Sequence, residues 1–270
     1  MKKHFRSKSL YFILMPILAF LYLSPFLYML LRSFLRFDQA SLFNYSPTLF
    51  NYETVLTGAK FGHYFLNSLI VLVAVLFANI FFSVPVAYAF SRYEFPFKKL
   101  LYATVLLSLV LPYHIMLFPI LNIAVKTNIY DTLFALIIPF ALNGFNVFFL
   151  KRYIDALPED LEHTARVDGA GEFAILRHVV FPLTRPALAI VAINTVITTW
   201  NSFIFPLILT ETSKARTLPV ALSYFSQGAY ATDWGILMAA SGVSSLPLVL
   251  IFWFFQKQII NGMTAGSLKE

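Results

Sequence analysis

"LPEDLEHTARVDGAGEFAILRHVVFPLTRP", Leu157 to Pro186, decides how the rest of the chain is read. It is polar, charged and rich in small residues, with apolar sequence on both sides. Local signals make it a helix–turn–helix elbow. Pro158 suits the first turn of a helix, and Glu159, Asp160 and Glu162 put acids near its N-terminus. Glu162 and Arg166 are spaced to pair one turn apart. Gly169 can take the left-handed conformation that ends a helix. A second short helix starts near Glu172 and ends near Arg177 and His178, with Phe173, Leu176 and Val180 on one apolar face. Pro182 and Pro186 close the segment. Thr164, Ala165, Gly169, Ala170 and Gly171 are small enough for another protein to approach closely, with rim charges to orient it. The alternative is an elbow that packs under its own bundle. Physics alone leaves both open.

The sequence around the elbow is that of a membrane protein. Of 270 residues 59% are hydrophobic and 12% charged, against about 25% charged in soluble domains. Runs of roughly 20 apolar residues can cross the hydrocarbon core. Six occur, at approximately Leu10–Leu31, Leu66–Phe90, Leu100–Val125, Thr132–Leu150, Pro186–Leu209 and Gly235–Phe255. The first follows "MKKHFRSK" but is too long for a signal peptide's apolar core, and reads as a retained span. The expected fold is therefore an all-α membrane protein of six transmembrane helices, a single transmembrane domain over 1–270. Its parts are an N-terminal span at 10–31, a core at about 62–256, a loop at 151–185 and a tail at 257–270.

Charge sets the orientation. With the N-terminus inside, cytoplasmic segments hold 14 of the 20 Lys and Arg residues, the bias expected of cytoplasmic loops. Both termini are then cytoplasmic. The elbow becomes the cytoplasmic loop between spans four and five, where Lys151 to Arg185 holds 11 of the 33 charged residues. The net charge of +7 is accounted for by these loops rather than by nucleic acid.

The span cores contain no Asp, Glu, Lys or Arg, and only His114 is ionisable in the usual pH range, which disfavours ion-coupled transport. Neutral polar residues are present instead. Asn194, Thr198 and Asn201 share one helix face, flanked by Thr195 and Thr199. Asn143 and Asn146 lie three apart, and Asn79 and Ser83 four apart. These groups can hydrogen-bond a neutral, hydroxyl-rich solute along a pathway, or they can hold helix to helix. Every span also carries a proline, which can kink it. There is no phosphate loop: "GAGEFAI" at Gly169 lacks the Lys-Ser/Thr ending. The chain has no cysteine, and His163 and His178 are not at zinc-ligand spacing, so no metal or catalytic residue is assigned.

In several places the chain resembles one family. The elbow resembles the "EAA" loop of MalG-type inner-membrane permease subunits of carbohydrate ABC importers, commonly P-x-E-L-x-E-A-A-x-x-D-G-A with a later P-L-x-x-P. Pro158, Leu161, Ala165, Asp168, Gly169, Ala170, Pro182, Leu183 and Pro186 match. The family's Glu-Ala-Ala falls on His163-Thr164-Ala165, so His163 stands at the usual glutamate and Glu162 one residue earlier. "NSL" at Asn67, "AYAFSRYEFPFKK" from Ala87, "LPYHIMLFPIL" from Leu111, "YDT" at Tyr130, "WNSF" at Trp200, "TLP" at Thr217 and "GMTAGSLKE" from Gly262 follow in order.

The resemblance implies a bacterial inner-membrane permease for a sugar or oligosaccharide, with a second permease subunit completing the pathway. Two cytoplasmic ATPase subunits would carry the ATP and Mg, and this chain would bind no cofactor. The elbow, through Glu162, His163, Thr164, Ala165, Arg166, Asp168, Gly169 and Ala170, would couple to the ATPase. An extracytoplasmic binding protein would meet the outer loops at Ser33–Phe65 and Thr210–Trp234, and the tail would lie near the ATPase pair. Asn143, Asn146, Asn194, Thr198 and Asn201 are the candidate solute pathway. The alternatives are an ion-coupled carrier or channel for a small polar solute, and a membrane scaffold.

Overall fold

The computed structural model describes residues 2–37, 45–58, 60–227 and 233–265. Helix α1 (Lys2–Ser33) leads to two short strands, β1 (Leu35–Phe37) and β2 (Tyr45–Pro47), then to α2 (Phe50–Thr57) and α3 (Phe61–Arg92). Next come α4 (Lys98–Val110), a 3₁₀ turn (Tyr113–Met116), α5 (Leu117–Lys126), α6 (Leu133–Ile137), a 3₁₀ turn (Ile138–Phe140) and α7 (Gly144–Asp155). The elbow is α8 (Asp160–Val167), α9 (Glu172–Ile175), a π turn (Leu176–Val180) and α10 (Phe181–Leu183). The chain continues with α11 (Arg185–Trp200), α12 (Ile204–Leu209), α13 (Leu218–Gln227) and α14 (Trp234–Ala265). The all-α expectation needs one small amendment: β1 and β2 pair antiparallel, Leu35 opposite Pro47 and Phe37 opposite Tyr45.

Among the described residues, four helices are long and apolar enough to cross a membrane: Leu14–Ser33, Phe61–Arg92, Leu133–Asp155 and Trp234–Gln256. Two bent pairs bring the number to six if each is one span. Lys98–Val110 meets Tyr113–Lys126 at 109°, and Glu172–Leu183 meets Arg185–Trp200 at 76°.

Span three is thus not the single helix expected over Leu100–Val125. Leu111 precedes Pro112 and is extended, with φ −66° and ψ 130°, because the proline ring clashes with a helical predecessor. Pro16, Pro25, Pro85 and Pro247 remain inside continuous helices, so proline content alone does not mark the breaks. Span four re-forms around Ile138–Phe140, and α7 starts at Asn143, whose side chain accepts the Phe145 N–H at 2.8 Å. Span five stops at Trp200 and resumes at Ile204.

Packing defines two compact units, Met1–Gly62 with Ala221–Leu246, and His63–Val220 with Pro247–Glu270. In the first, α1 shows its described apolar side chains outward from Phe12 to Leu31. Buried Asn51 on α2 donates to the carbonyls of Ser33 (2.9 Å) and Leu35 (3.1 Å). Gly235 lies so close that a Cβ there would sit 2.6 Å from the Asn51 amide and 2.7 Å from the Leu35 carbonyl.

The second unit has two apolar clusters. One, including Val84, Tyr88, Leu150, Ile154, Ile175, Val180 and Val191, joins α3, α7 and α11 to the elbow. The other, including Val75, Leu117, Leu136, Phe205 and Leu209, joins α3, α5, α6 and α12.

Candidate functional site

The elbow turn follows from backbone hydrogen bonding. The Ala170 N–H bonds the Ala165 carbonyl at 2.9 Å and the Gly169 N–H bonds the Arg166 carbonyl at 3.0 Å. This is the Schellman pattern, which places one residue in the left-handed region, and Gly169 has φ +83°. The second elbow helix does not end near His178, as the sequence led us to expect. The Phe181 N–H reaches back to the Leu176 carbonyl, and this widened turn carries the chain past Pro182, which has no N–H to give. The expected apolar face also shifts. Ile175 and Val180 are buried, whereas Phe173 is 75% exposed.

The inner side of the elbow is fastened to the end of α3. Arg92 donates from Nε to Glu162 (2.9 Å), from one terminal nitrogen to Glu159 (3.3 Å) and from the other to the Leu157 carbonyl (2.9 Å). The Tyr88 hydroxyl donates to the other Glu162 oxygen at 3.1 Å. Arg166 grips both oxygens of Glu172 at 2.9 and 3.2 Å, and the Tyr93 hydroxyl donates to Glu172 as well. The Arg166 guanidinium and the Tyr93 hydroxyl pull the Glu172 carboxyl down to about 2.

The eight elbow residues singled out from the sequence therefore divide. Glu162 is 3% exposed and turned into the bundle; its i, i+4 contact to Arg166 (3.8 Å) is longer than its bond to Arg92. Ala165, Arg166 and Ala170 are half-buried, while His163, Thr164, Asp168 and Gly169 are exposed. Val167 joins the outer group at 87% exposure. Both readings of the elbow describe part of it: one side packs under its own bundle, the other is open. Arg92 and Tyr88 had no role in the sequence reading beyond loop charge and the matched "AYAFSRYEFPFKK" stretch. Their partners lie about seventy residues away, beyond any local pattern.

A cavity of about 720 Å³ opens in the same unit. Asn79, Asn143, Thr195, Thr198 and Asn201 supply polar groups, and Tyr113, Phe140, Trp200, Phe203 and Phe205 supply aromatic rings. Tyr113 packs on Phe205 with ring centres 4.4 Å apart. His114 is also in the lining, and no Lys, Arg, Asp or Glu is among the described lining residues.

The candidate pathway residues divide as well. Asn143, Thr198 and Asn201 line the cavity; Asn146 and Asn194 do not. Asn146 is buried and donates to Asn79 Oδ1 (2.9 Å) and Thr195 Oγ1 (3.0 Å), while Asn194 donates to Asn146 Oδ1 at 3.4 Å. Asn79 in turn accepts the Asn143 N–H (3.0 Å) and donates to the Phe140 carbonyl (2.7 Å), where the 3₁₀ turn interrupts span four. In hydrocarbon a broken helix needs such a partner. Asn146 and Asn194 thus hold helix to helix, the alternative weighed from the sequence.

Three short motifs fasten the loop after α12. Asn67 donates to the carbonyls of Lys214 and Arg216, both at 2.9 Å, and Ser68 accepts the Leu218 N–H at 2.8 Å. Asp131 accepts the N–H groups of Glu211 (2.8 Å) and Thr212 (3.0 Å) and the Thr212 hydroxyl (2.6 Å). Residues 38–44, 59 and 228–232 of the loops expected on the outer face, and the tail beyond 265, lie outside the described residues.

Residues 79–264 match the family described as the binding-protein-dependent transport system inner membrane component. The trehalose/maltose transport system permease protein MalG of Thermococcus litoralis is 34% identical, over 94% of each chain. The arabinooligosaccharides transport system permease protein AraQ of Bacillus subtilis is 32% identical over 81% of this chain and 78% of its own. In fold, the chain is similar to one in the crystal structure of a bacterial ABC transporter involved in import of the acidic polysaccharide alginate. The TM-score is 0.83 at 22% identity, covering 95% of this chain and 98% of that one.

Proposed function

Because this chain belongs to the family of binding-protein-dependent transport system inner membrane components, we propose that it forms half the transmembrane pathway of an ATP-driven ABC importer for a sugar or oligosaccharide. It is a multi-pass inner-membrane transport subunit rather than an enzyme. The observation that carries the proposal is that one family match, 79–264, contains the elbow and all of the cavity lining except Ser68, Val71 and Val75.

The remaining parts belong to the same proposal. Six spans put both termini and the elbow in the cytoplasm. There the outer side of the elbow, His163, Thr164, Val167, Asp168 and Gly169, meets one of two ATPase subunits that hold ATP and Mg. A second permease subunit closes the cavity. An extracytoplasmic binding protein delivers the solute to the outer loops, of which 210–217 is held firm by Asn67, Ser68 and Asp131. Amides, hydroxyls and aromatic faces without a charged neighbour suit an uncharged sugar. ATP binding draws the ATPases together and shifts the bundle outward-open, since a ligand moves an equilibrium only through unequal affinity for its states.

The test is purification of the chain from its native host in mild detergent, followed by uptake in proteoliposomes. A retained ATPase, a second permease and ATP-dependent sugar uptake are expected. Uptake that persists without ATP and collapses with an ion gradient would favour a carrier instead.

A further inference from the structure

The Arg92 side chain has a larger set of partners than an ion pair holding a loop requires. The side chains of Arg92 and Glu162 are both almost fully buried, so the pair is removed from the solvent screening that makes surface pairs weak. Its three donors fan out to Glu162 on the first turn of α8, to Glu159 at its N-cap and to the Leu157 carbonyl just before that. Glu162 is held in return by Tyr88, one turn back along α3. The start of the elbow is therefore fixed to α3 at several points in different directions.

Helix α3 is also the element that enters the cavity. It runs unbroken from Phe61 to Arg92, and Asn79, about 20 Å from Arg92 at the helical rise, lines the cavity and holds the broken end of span four through Phe140 and Asn143. One continuous helix thus has the elbow at one end and the cavity partway along it. We infer that Arg92 is a positioning residue for transport, clamping the elbow to α3 through Glu162 so that elbow movement reaches the cavity through Asn79. The inference rests on the proposed function, because it needs an ATPase to move the elbow.

The test compares wild type with Arg92→Gln in the assembled transporter in proteoliposomes, reading sugar transported per ATP hydrolysed alongside the amount of complex formed. The expected result is an assembled complex that still hydrolyses ATP while transport per ATP falls by about tenfold. The double variant Arg92→Glu, Glu162→Arg should recover part of that ratio. A merely structural role would lower transport and hydrolysis together and leave the ratio unchanged, and an unchanged ratio in assembled Arg92→Gln overturns the inference. If Arg92→Gln does not assemble, Tyr88→Phe removes only one hydroxyl from the clamp. A fall of about twofold is then expected, and an unchanged ratio again overturns it. A wild-type chain that retains no ATPase would overturn the proposed function itself, a different result from a coupled transporter indifferent to Arg92.

Discussion

Single residues in the elbow are constrained for separable reasons. At Gly169 the constraint is backbone conformation, because a Cβ added there would meet nothing within 4 Å. Left-handed backbone costs an L-residue roughly 1–2 kcal/mol, with Asn among the better tolerated. Gly169→Val should therefore destabilise the elbow by about 2 kcal/mol, and Gly169→Asn by clearly less, read by hydrogen exchange at Ala170. At Glu172 the constraint is charge. Its carboxyl is lowered from 4.5 to about 2 by Arg166 first and Tyr93 second. A depressed carboxylate stabilises the folded state fully above its unfolded pKa and loses that contribution as pH falls through the folded one. The thermal advantage of wild type over Glu172→Gln should hold from pH 8 to about 5, then vanish between 4.5 and about 2. Glu172 is half exposed, so the advantage will be small.

At the scale of elements, close approach and internal amides matter more than greasiness, since lipid solvates apolar side chains as well as protein does. Helices α4 and α7 meet where Gly144 faces Ser108: an added Cβ would lie 2.0 Å from Ser108 Oγ and 3.2 Å from the Val105 carbonyl. Gly144→Ala should cost about 1–3 kcal/mol, and adding Ser108→Ala should recover much of it, as a double-mutant thermal series would show. Asn146→Ala removes donors to Asn79 and Thr195 and should cost about 1 kcal/mol without changing the cavity's polar lining. Asn201→Ala, which does alter that lining, should change solute affinity more than stability.

These elements also show how far a sequence can be read. The elbow's first helix and turn were legible because a proline, first-turn acids and a glycine follow one another between Pro158 and Gly169. The end of its second helix was not, because the π turn depends on how Pro182 is accommodated against a buried Val180. Proline positions were visible, but Pro85 sits inside a continuous α3 while Leu111–Pro112 parts two helices. Which carbonyls find partners elsewhere settles such cases, as Asn79 does for Phe140. The Asn143–Asn146 pair looked like one lining face, yet only Asn143 reaches the cavity, since Asn146 is drawn to Asn79 and Thr195.

For the whole molecule, the absence of native cysteine makes orientation directly measurable. Thr164→Cys and Lys214→Cys are both at exposed positions. With a membrane-impermeant maleimide, the cysteine at 214 should label in intact spheroplasts and the one at 164 only after permeabilisation; the reverse pattern would overturn the proposed topology. The elbow's two sides have a further, evolutionary consequence. Its inward residues answer to α3, whereas His163, Thr164, Val167 and Asp168 are exposed, Thr164 bonding the Asp160 carbonyl one turn back and His163 lying 4.0 Å from Glu159 on the same helix start. On the proposed function, substitution there would retune the match to one ATPase or another without disturbing the solute route. Partner choice and cargo choice can then drift apart, so that transporters for different sugars can come to share a single motor.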